Sequence, residues 1–400
     1  MSDLQKFFDE HFVDGTGVVY SQINGETFKV LEDDFFPADL VPRHWEKDFP
    51  TEAEFWTYEN CGMTTGGYLS TLCCRLASGH GTEKERTSLL RQAQRTFKAL
   101  RYIYEIGSQW EEGFFPKIWG NKFSHQTSTD QYLYAMFGMD QYYSFASEEE
   151  RFLIREMIIA MTEFWMKRKY TLTYYHVNDM VWPPLRFPPF LMLASKYAAG
   201  EKKEILYQEG MRILMENLHK IPENSRRKSG RIFQVADAVT MDTMNIILML
   251  ENGSLPSSVR SVLLEGMEKM WFEARQTLTE DGFYCTSMPC DKESGRVLPG
   301  TEAQYGPRSA WSSMIVRAGL QMSCYLPHLK EETLSWAQLV MEKLTPGTMY
   351  YYHPADVERM AGKPCYTSRF SSGDAIVNCL WTASLLEMTN RNERKQSCNE

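Results

Sequence analysis

The 400-residue chain carries none of the local motifs by which a bound cofactor or an activated nucleophile is usually recognised. It has no H-E-x-x-H pair, no Walker A lysine loop, no G-x-G-x-x-G turn and no G-x-S-x-G elbow, so zinc peptidase, P-loop, dinucleotide and serine hydrolase readings fall away. Its nine cysteines are odd in number and lack both C-x-x-C and Cys/His ligand spacing. Neither a disulfide framework nor a zinc site is expected, and no metal or cofactor is implied; the cysteines read as mostly reduced core thiols. Long apolar runs are also missing. Runs such as Ile246 to Leu250 are far short of the roughly 20 residues that a helical membrane span needs. Positive charge is not in excess either: 43 Lys and Arg stand against 52 Asp and Glu, a net charge of -9, so nucleic acid is not an expected partner. Acids at Asp3, Asp9 and Glu10 occupy the place where a signal peptide needs a basic start and an apolar stretch, which makes a cytoplasmic location the expectation.

Aromatic rings are abundant instead. Ten Trp, 21 Tyr and 22 Phe make up 13% of the chain, and rings in such supply line sugar-binding clefts as well as cores. Apolar residues recur with a period near 3.6 in paired segments: 63–76 with 83–106, 130–145 with 148–169, 187–199 with 203–219, 239–250 with 257–277, and 309–325 with 331–344. A last segment, 374–388, is placed to close against 4–11. Short aromatic or β-branched stations separate the pairs, around Tyr20, Phe114, Tyr174, Ile232, Phe283 and Tyr351. From Phe114 to Tyr174, Ile232, Phe283 and Tyr350 the steps are 60, 58, 51 and 67 residues, the mark of a helix-hairpin repeat. Six units without an evident capping repeat predict an all-α fold, a six-hairpin α/α toroid (barrel) with short aromatic strands or loops at one mouth. Residues 1–390 form its single domain and 391–400 a polar tail. An irregular helical domain is the plainer alternative.

In such a ring the inner helices begin just after the stations, so their first turns converge on one mouth. Asp242, between Met241 and Met244 at the head of an apolar helix, has the surroundings of a carboxyl able to act as an acid. Asp179 lies in a segment with Tyr174, His176 and Trp182, and Asp130 follows His125. These three aspartates are the candidate catalytic residues, although Asp, Ser and Thr at helix starts also serve as N-caps, and Asp374 is read as one. His176 is read as a binding residue or a hydrogen-bonded wall residue. Arg308, near Tyr305 and Trp311, suits a bidentate clamp on a substrate carboxylate, with an ion pair to Glu302 as the alternative.

The segment from Thr240 to Met249, with Asp242 followed by Thr243, Met244 and Asn245, resembles the I-D-T-M-M-N-L-P-L-L element of unsaturated glucuronyl hydrolases in the six-hairpin glycosidase group. The run from Asp281 to Tyr284, and that from Asp291 through Arg308 to Trp311, are similar to the family's D-G-S-T, D-x-x-T-G and W-x-R-G-Q-A-W elements. The 66 residues from Asp242 to Arg308 also match the family's spacing. The chain departs from the pattern in three places: Arg308 and Trp311 are three apart where the family has four, no histidine follows Tyr284, and Ser309 replaces Gly-Gln.

The resemblance implies that Asp242 is the acid. It also implies a second aspartate one hairpin upstream; counting back 63 residues gives Asp179, while Asp130 lies two hairpins upstream. The implied substrate is an oligosaccharide ending in a 4,5-unsaturated uronic acid. Asp242 would protonate the double bond and then activate water, and Asp179 would position the water or stabilise charge. Tyr174, Trp182 and Trp311 would stack on sugar faces, with no metal. A hydrolase of saturated glycosides or glucuronides, an epimerase on the same toroid and a noncatalytic carbohydrate-binding protein stand as alternatives. The epimerase would need two central histidines, for which His176 and His353 are available.

Overall fold

The computed structural model describes residues 2–37, 50–79, 81–174, 177–223, 227–228, 231–233, 235–282, 287–291, 293–294, 296, 298, 309–349 and 369–397. Its helices are α1 (Ser2–His11), α2 (Glu52–Tyr58), α3 (Cys61–Ser78), α4 (Glu83–Ser108), α5 (Thr129–Tyr142), α6 (Glu148–Lys167), α7 (Pro188–Tyr197), α8 (Gly200–Asn217), α9 (Lys220–Glu223), α10 (Val235–Asn252), α11 (Ser257–Arg275), α12 (Ser309–Ser323), α13 (Lys330–Lys343) and α14 (Gly373–Ser397). Seven short strands lie between them: β1 (Gln22–Asn24), β2 (Thr171–Tyr174), β3 (Val177–Val181), β4 (Arg227–Lys228), β5 (Arg231–Phe233), β6 (Ser287–Pro289) and β7 (Phe370–Ser372).

Helices α3, α5, α7, α10, α12 and α14 form the inner ring. α3 packs between α5 and α14, and α10 packs between α7 and α12, which in turn packs on α14. α5 meets α7 through the Tyr132 and Phe190 rings, 6.4 Å apart. The expected six-hairpin toroid is the fold observed. Its inner helices are buried all round: in α5 only Asp130 and Gln141 escape full burial. The outer helices α4 and α6 open on capping boxes, Thr82 with Glu85 and Ser147 with Glu150, which satisfy orphan N–H donors at both ends of the box. The ring closes where β1 pairs antiparallel with β7, Ile23 opposite Ser371, and where α1 packs on α14. α14 runs on through Ser397, so the polar stretch after residue 390 continues a helix as far as that residue. No described helix is long and apolar enough to cross a membrane.

Glycine sets the closest approach in the ring. A Cβ on Gly66 would stand 2.4 Å from the Tyr134 carbonyl, and one on Gly138 would stand 2.5 Å from the carbonyl oxygen of Gly66. Both obstructions are backbone, which cannot rotate aside. Gly66→Ala is therefore expected to push α3 off α5 and to lower stability by about 1–3 kcal/mol, read as a fall in the urea midpoint. An unchanged midpoint would show that the two helices have slack.

On the face away from the mouth, Asp9 joins three helices. Its carboxylate accepts from the Tyr68 hydroxyl of α3, from Gln5 Nε2 of α1 at 3.0 Å and from Gln92 Nε2 of α4 at 2.9 Å. Burial raises its pKa and outweighs the lowering by these donors and by Arg75. A carboxyl raised on folding binds its proton more tightly in the native state. Its contribution to stability is thus present at low pH and declines as the pH climbs from about 4 through the raised value. The unfolding temperature should show that decline in the wild type, and Asp9→Asn should flatten it. A profile that is the same in both would remove Asp9 as its source.

Candidate active site

The inner helices α3 and α5 begin differently from the outer helices α4 and α6. Asn60 and Ser128, which precede α3 and α5, make no side-chain cap. Their neighbours bond across the ring instead. Gln131 of α5 accepts from the Met63 N–H at 3.0 Å and donates to Asn60 Oδ1 at 3.3 Å. Thr64 of α3 donates to Asp374 Oδ1 of α14 at 2.8 Å. Tyr134 of α5 donates to Thr240 Oγ1 of α10 at 3.3 Å. Asp374 is thus a bridge between helices, and the capping acceptor at this helix start is Ser372 Oγ, 3.4 Å from the Ala375 N–H. The reason is position: Asp374 already lies inside the first turn, past the place from which a side chain can fold back on the helix end.

Beside this polar layer the ammonium of Lys117, a residue 1% exposed, pairs with Glu59. The two are 58 residues apart in sequence, and nothing local announces their pairing. Tyr174 stands in the same electrostatic surroundings. Burial raises its pKa; Lys117 opposes the shift, and Glu59 and Asp130 add to it, so the phenol stays neutral. Of the sequence candidates, Tyr174 therefore feels the charge of Asp130, together with the charges of two residues that the sequence reading did not single out. Trp182 is only 9% exposed and meets the Tyr174 ring edge-on at 5.3 Å, so it forms wall behind Tyr174. Trp311 is half-buried at the start of α12. His176, Tyr305 and Arg308 lie outside the described residues, as does His353.

Asp242 sits about two turns into α10 with its side chain 15% exposed. The Arg186 guanidinium approaches its Oδ1 to 3.4 Å. A cavity of about 240 Å³ opens here, lined by Pro183, Pro184, Leu185, Arg186, Asn217, Lys220 and Asp242. The flanking Met241 and Met244 suggest an apolar setting, but the cavity is a charged one, with two cations beside a carboxyl. On another side Asp242 borders a niche of about 40 Å³ shared with Asn245 and otherwise apolar side chains. Asn245, 4% exposed, has an Oδ1 with no hydrogen-bond partner among the described residues. An amide one turn beyond Asp242 in an apolar helix was the signal that could have singled it out.

Asp179 is elsewhere on the same rim. It is exposed on β3 with a φ of +48°, and it lines a cleft of about 390 Å³ with Trp110, His125, Gln126, Arg168 and Thr171 to Thr173. The lining of the Asp242 cavity and that of this cleft have no residue in common. Among the described residues no group of three or more His, Cys, Asp and Glu side chains is placed to hold a metal ion.

Solved structures share this architecture over nearly the whole chain. Cellobiose 2-epimerase from Bacillus thermoamylovorans superposes with a TM-score of 0.57 at 10% identity, covering 96% of this chain and 95% of that one. A family 76 glycoside hydrolase (mannosidase) from Bacteroides thetaiotaomicron gives 0.52 at 9% identity, with 98% of both chains covered. An unsaturated glucuronyl hydrolase specific for heparin gives 0.50 at 14% identity, covering 90% and 94%. No protein-family model and no curated protein sequence matches the chain. At these identities the likeness establishes the toroid, in keeping with the distant six-hairpin resemblance, and leaves the chemistry to the residues.

Proposed function

We propose that the chain is a carbohydrate-active toroid enzyme that hydrolyses oligosaccharides ending in a uronic acid, removing a terminal 4,5-unsaturated uronyl group by acid/base work at Asp242. The observation that carries this reading is the cavity in which Asp242 stands beside Arg186 and Lys220. A carboxyl is the group needed to give and take a proton, and two cations at its side suit a sugar that brings a carboxylate of its own. The structural neighbours support the coarser part, since each is by name an enzyme acting on sugars.

In the proposed reaction Asp242 donates its proton to the ring carbon at the far end of the vinyl ether, and the carboxylate left behind takes a proton from water. The hydroxide equivalent adds to the neighbouring carbon that bears the ring oxygen. The resulting hemiketal opens, and the hemiacetal then left at the anomeric carbon expels the remaining saccharide. One water is consumed, and no other reactant is required.

The test is loss of ultraviolet absorbance from the conjugated enol acid when purified protein meets a panel of unsaturated uronyl disaccharides. Loss that is absent with Asp242→Asn is the expected result. Absence of any loss across the panel defeats the vinyl-ether chemistry, and conversion of a reducing sugar to its epimer without cleavage assigns the toroid to isomerisation instead.

A further inference from the structure

We propose that the Trp110 cleft is a second saccharide site, built for a neutral, hydroxyl-rich sugar ring, and that it holds the residue next to the uronyl group bound at Asp242. The adjacency rests on the functional reading above; the binding itself does not.

One stretch of chain connects the two depressions. Between α6 and α7, Thr171 to Thr173 and Asp179 face the Trp110 cleft, while Pro183 to Arg186 face the Asp242 cavity. A ligand lying over this rim would meet both. The cleft's volume of about 390 Å³ falls within the usual span of small-molecule sites.

Its principal feature is an aromatic platform. Trp110 is 42% exposed, one of the few large apolar side chains in the described residues left so open. It is nevertheless held in place: Phe114 packs against it at 4.6 Å, His125 meets it edge-on at 4.9 Å, and the Arg168 guanidinium lies 5.0 Å over the ring. An indole already immobilised loses little freedom when a sugar's C–H face settles on it. Polar groups suited to vicinal hydroxyls surround the ring: the Asp179 carboxylate, the His125 imidazole, the Gln126 amide and the Thr173 hydroxyl.

Charge separates this cleft from its neighbour. Its one cation among the described residues, Arg168, is paired with Glu111, which leaves Asp179 to disfavour a sugar carrying a carboxylate. The Asp242 cavity has Arg186 and Lys220 and the opposite preference. The backbone adds an independent observation. Four non-glycine residues among those described have positive φ, and three of them, Lys169, Tyr170 and Asp179, lie in this one rim segment. A bulky tyrosine at a φ of +61° is held there only by its surroundings. Its hydroxyl donates to Glu209 at 2.9 Å and its ring packs on Phe187 at 4.4 Å, while Asp179, left-handed itself on β3, lines the cleft.

The test measures binding rather than turnover. Isothermal titration of wild type and of Asp242→Asn with neutral disaccharides (cellobiose, maltose and mannobiose) should find a member that binds both alike. Trp110→Ala should weaken that binding by about tenfold or more, and Asp179→Asn should weaken it as well. Trp110→Phe, which keeps a platform and guards against a folding defect, should retain most of it. Failure of every neutral disaccharide to bind, or equal binding by wild type and Trp110→Ala, overturns the proposal. Full turnover by Asp242→Asn would instead defeat the functional reading and leave the titration result standing.

Discussion

Asp242→Asn should reduce turnover of an unsaturated uronyl disaccharide by about 10²–10⁴-fold while leaving the fold intact, because the substitution removes a proton donor and almost no volume. Asp242 is one of several aspartates near the mouth, so the size of the loss discriminates. Asp130 and Asp179 stand among different neighbours, and among the described residues neither forms an ion pair with an arginine. Arg186 gives a second handle on the same site. If its guanidinium holds the substrate carboxylate in the ground state and the transition state alike, Arg186→Met should raise KM and leave kcat nearly unchanged. A fall in kcat with KM constant would mean that Arg186 acts on the protonation chemistry of Asp242, 3.4 Å away. Initial rates for the two variants, with unfolding midpoints as controls, separate these outcomes. Retention of more than about a tenth of wild-type turnover by Asp242→Asn would remove Asp242 from the acid/base role.

The ring was legible in the sequence because its determinants are local. Thr82 with Glu85 and Ser147 with Glu150 mark helix starts by residue type and spacing alone. The apolar period carries each helix from there, so the expected start at Ser257 coincides with the observed one. Departures appear at helix starts that the apolar period does not mark: α10 begins at Val235, four residues ahead of the apolar run that starts at Val239. The mouth was legible only as a list of residues. Glu59 and Lys117 are 58 residues apart, Thr64 and Asp374 are 310 apart, and each pair meets only because the ring closes. No periodicity encodes which of six helix starts faces which. Asp179 shows the same limit, since a hairpin with left-handed backbone turns it toward Trp110 and His125, whereas counting residues along the chain pairs it with Asp242.

The other large effect is expected at Arg317, a lone cation in the apolar stretch of α12. It is wholly buried, and its neighbours come from the other inner helices. The Trp381 ring of α14 lies 4.2 Å from the guanidinium carbon, the Tyr134 hydroxyl of α5 accepts from Nη2 at 3.2 Å, and Met244 Sδ of α10 lies 3.5 Å from Nη1. Among the described residues its Nε has no hydrogen-bond partner, and no carboxylate pairs with it. Burial accordingly lowers its pKa, against the smaller opposing effect of Tyr134. Two terms then compete. The side chain fills space among α5, α10, α12 and α14, and a desolvated charge without a counter-ion costs several kcal/mol, which two cation–π contacts and a hydrogen bond offset only in part. Substitution separates them. Arg317→Met keeps the length and polarisable bulk while removing the charge, and should be neutral or stabilising by about 1–4 kcal/mol. Arg317→Ala removes both and leaves a void where four inner helices meet, so it should destabilise by about 2–5 kcal/mol. Chemical denaturation of the two variants beside wild type decides the matter. Equal losses in both would mean that the guanidinium itself, through Tyr134 and Trp381, holds the inner ring together, and that its volume contributes little.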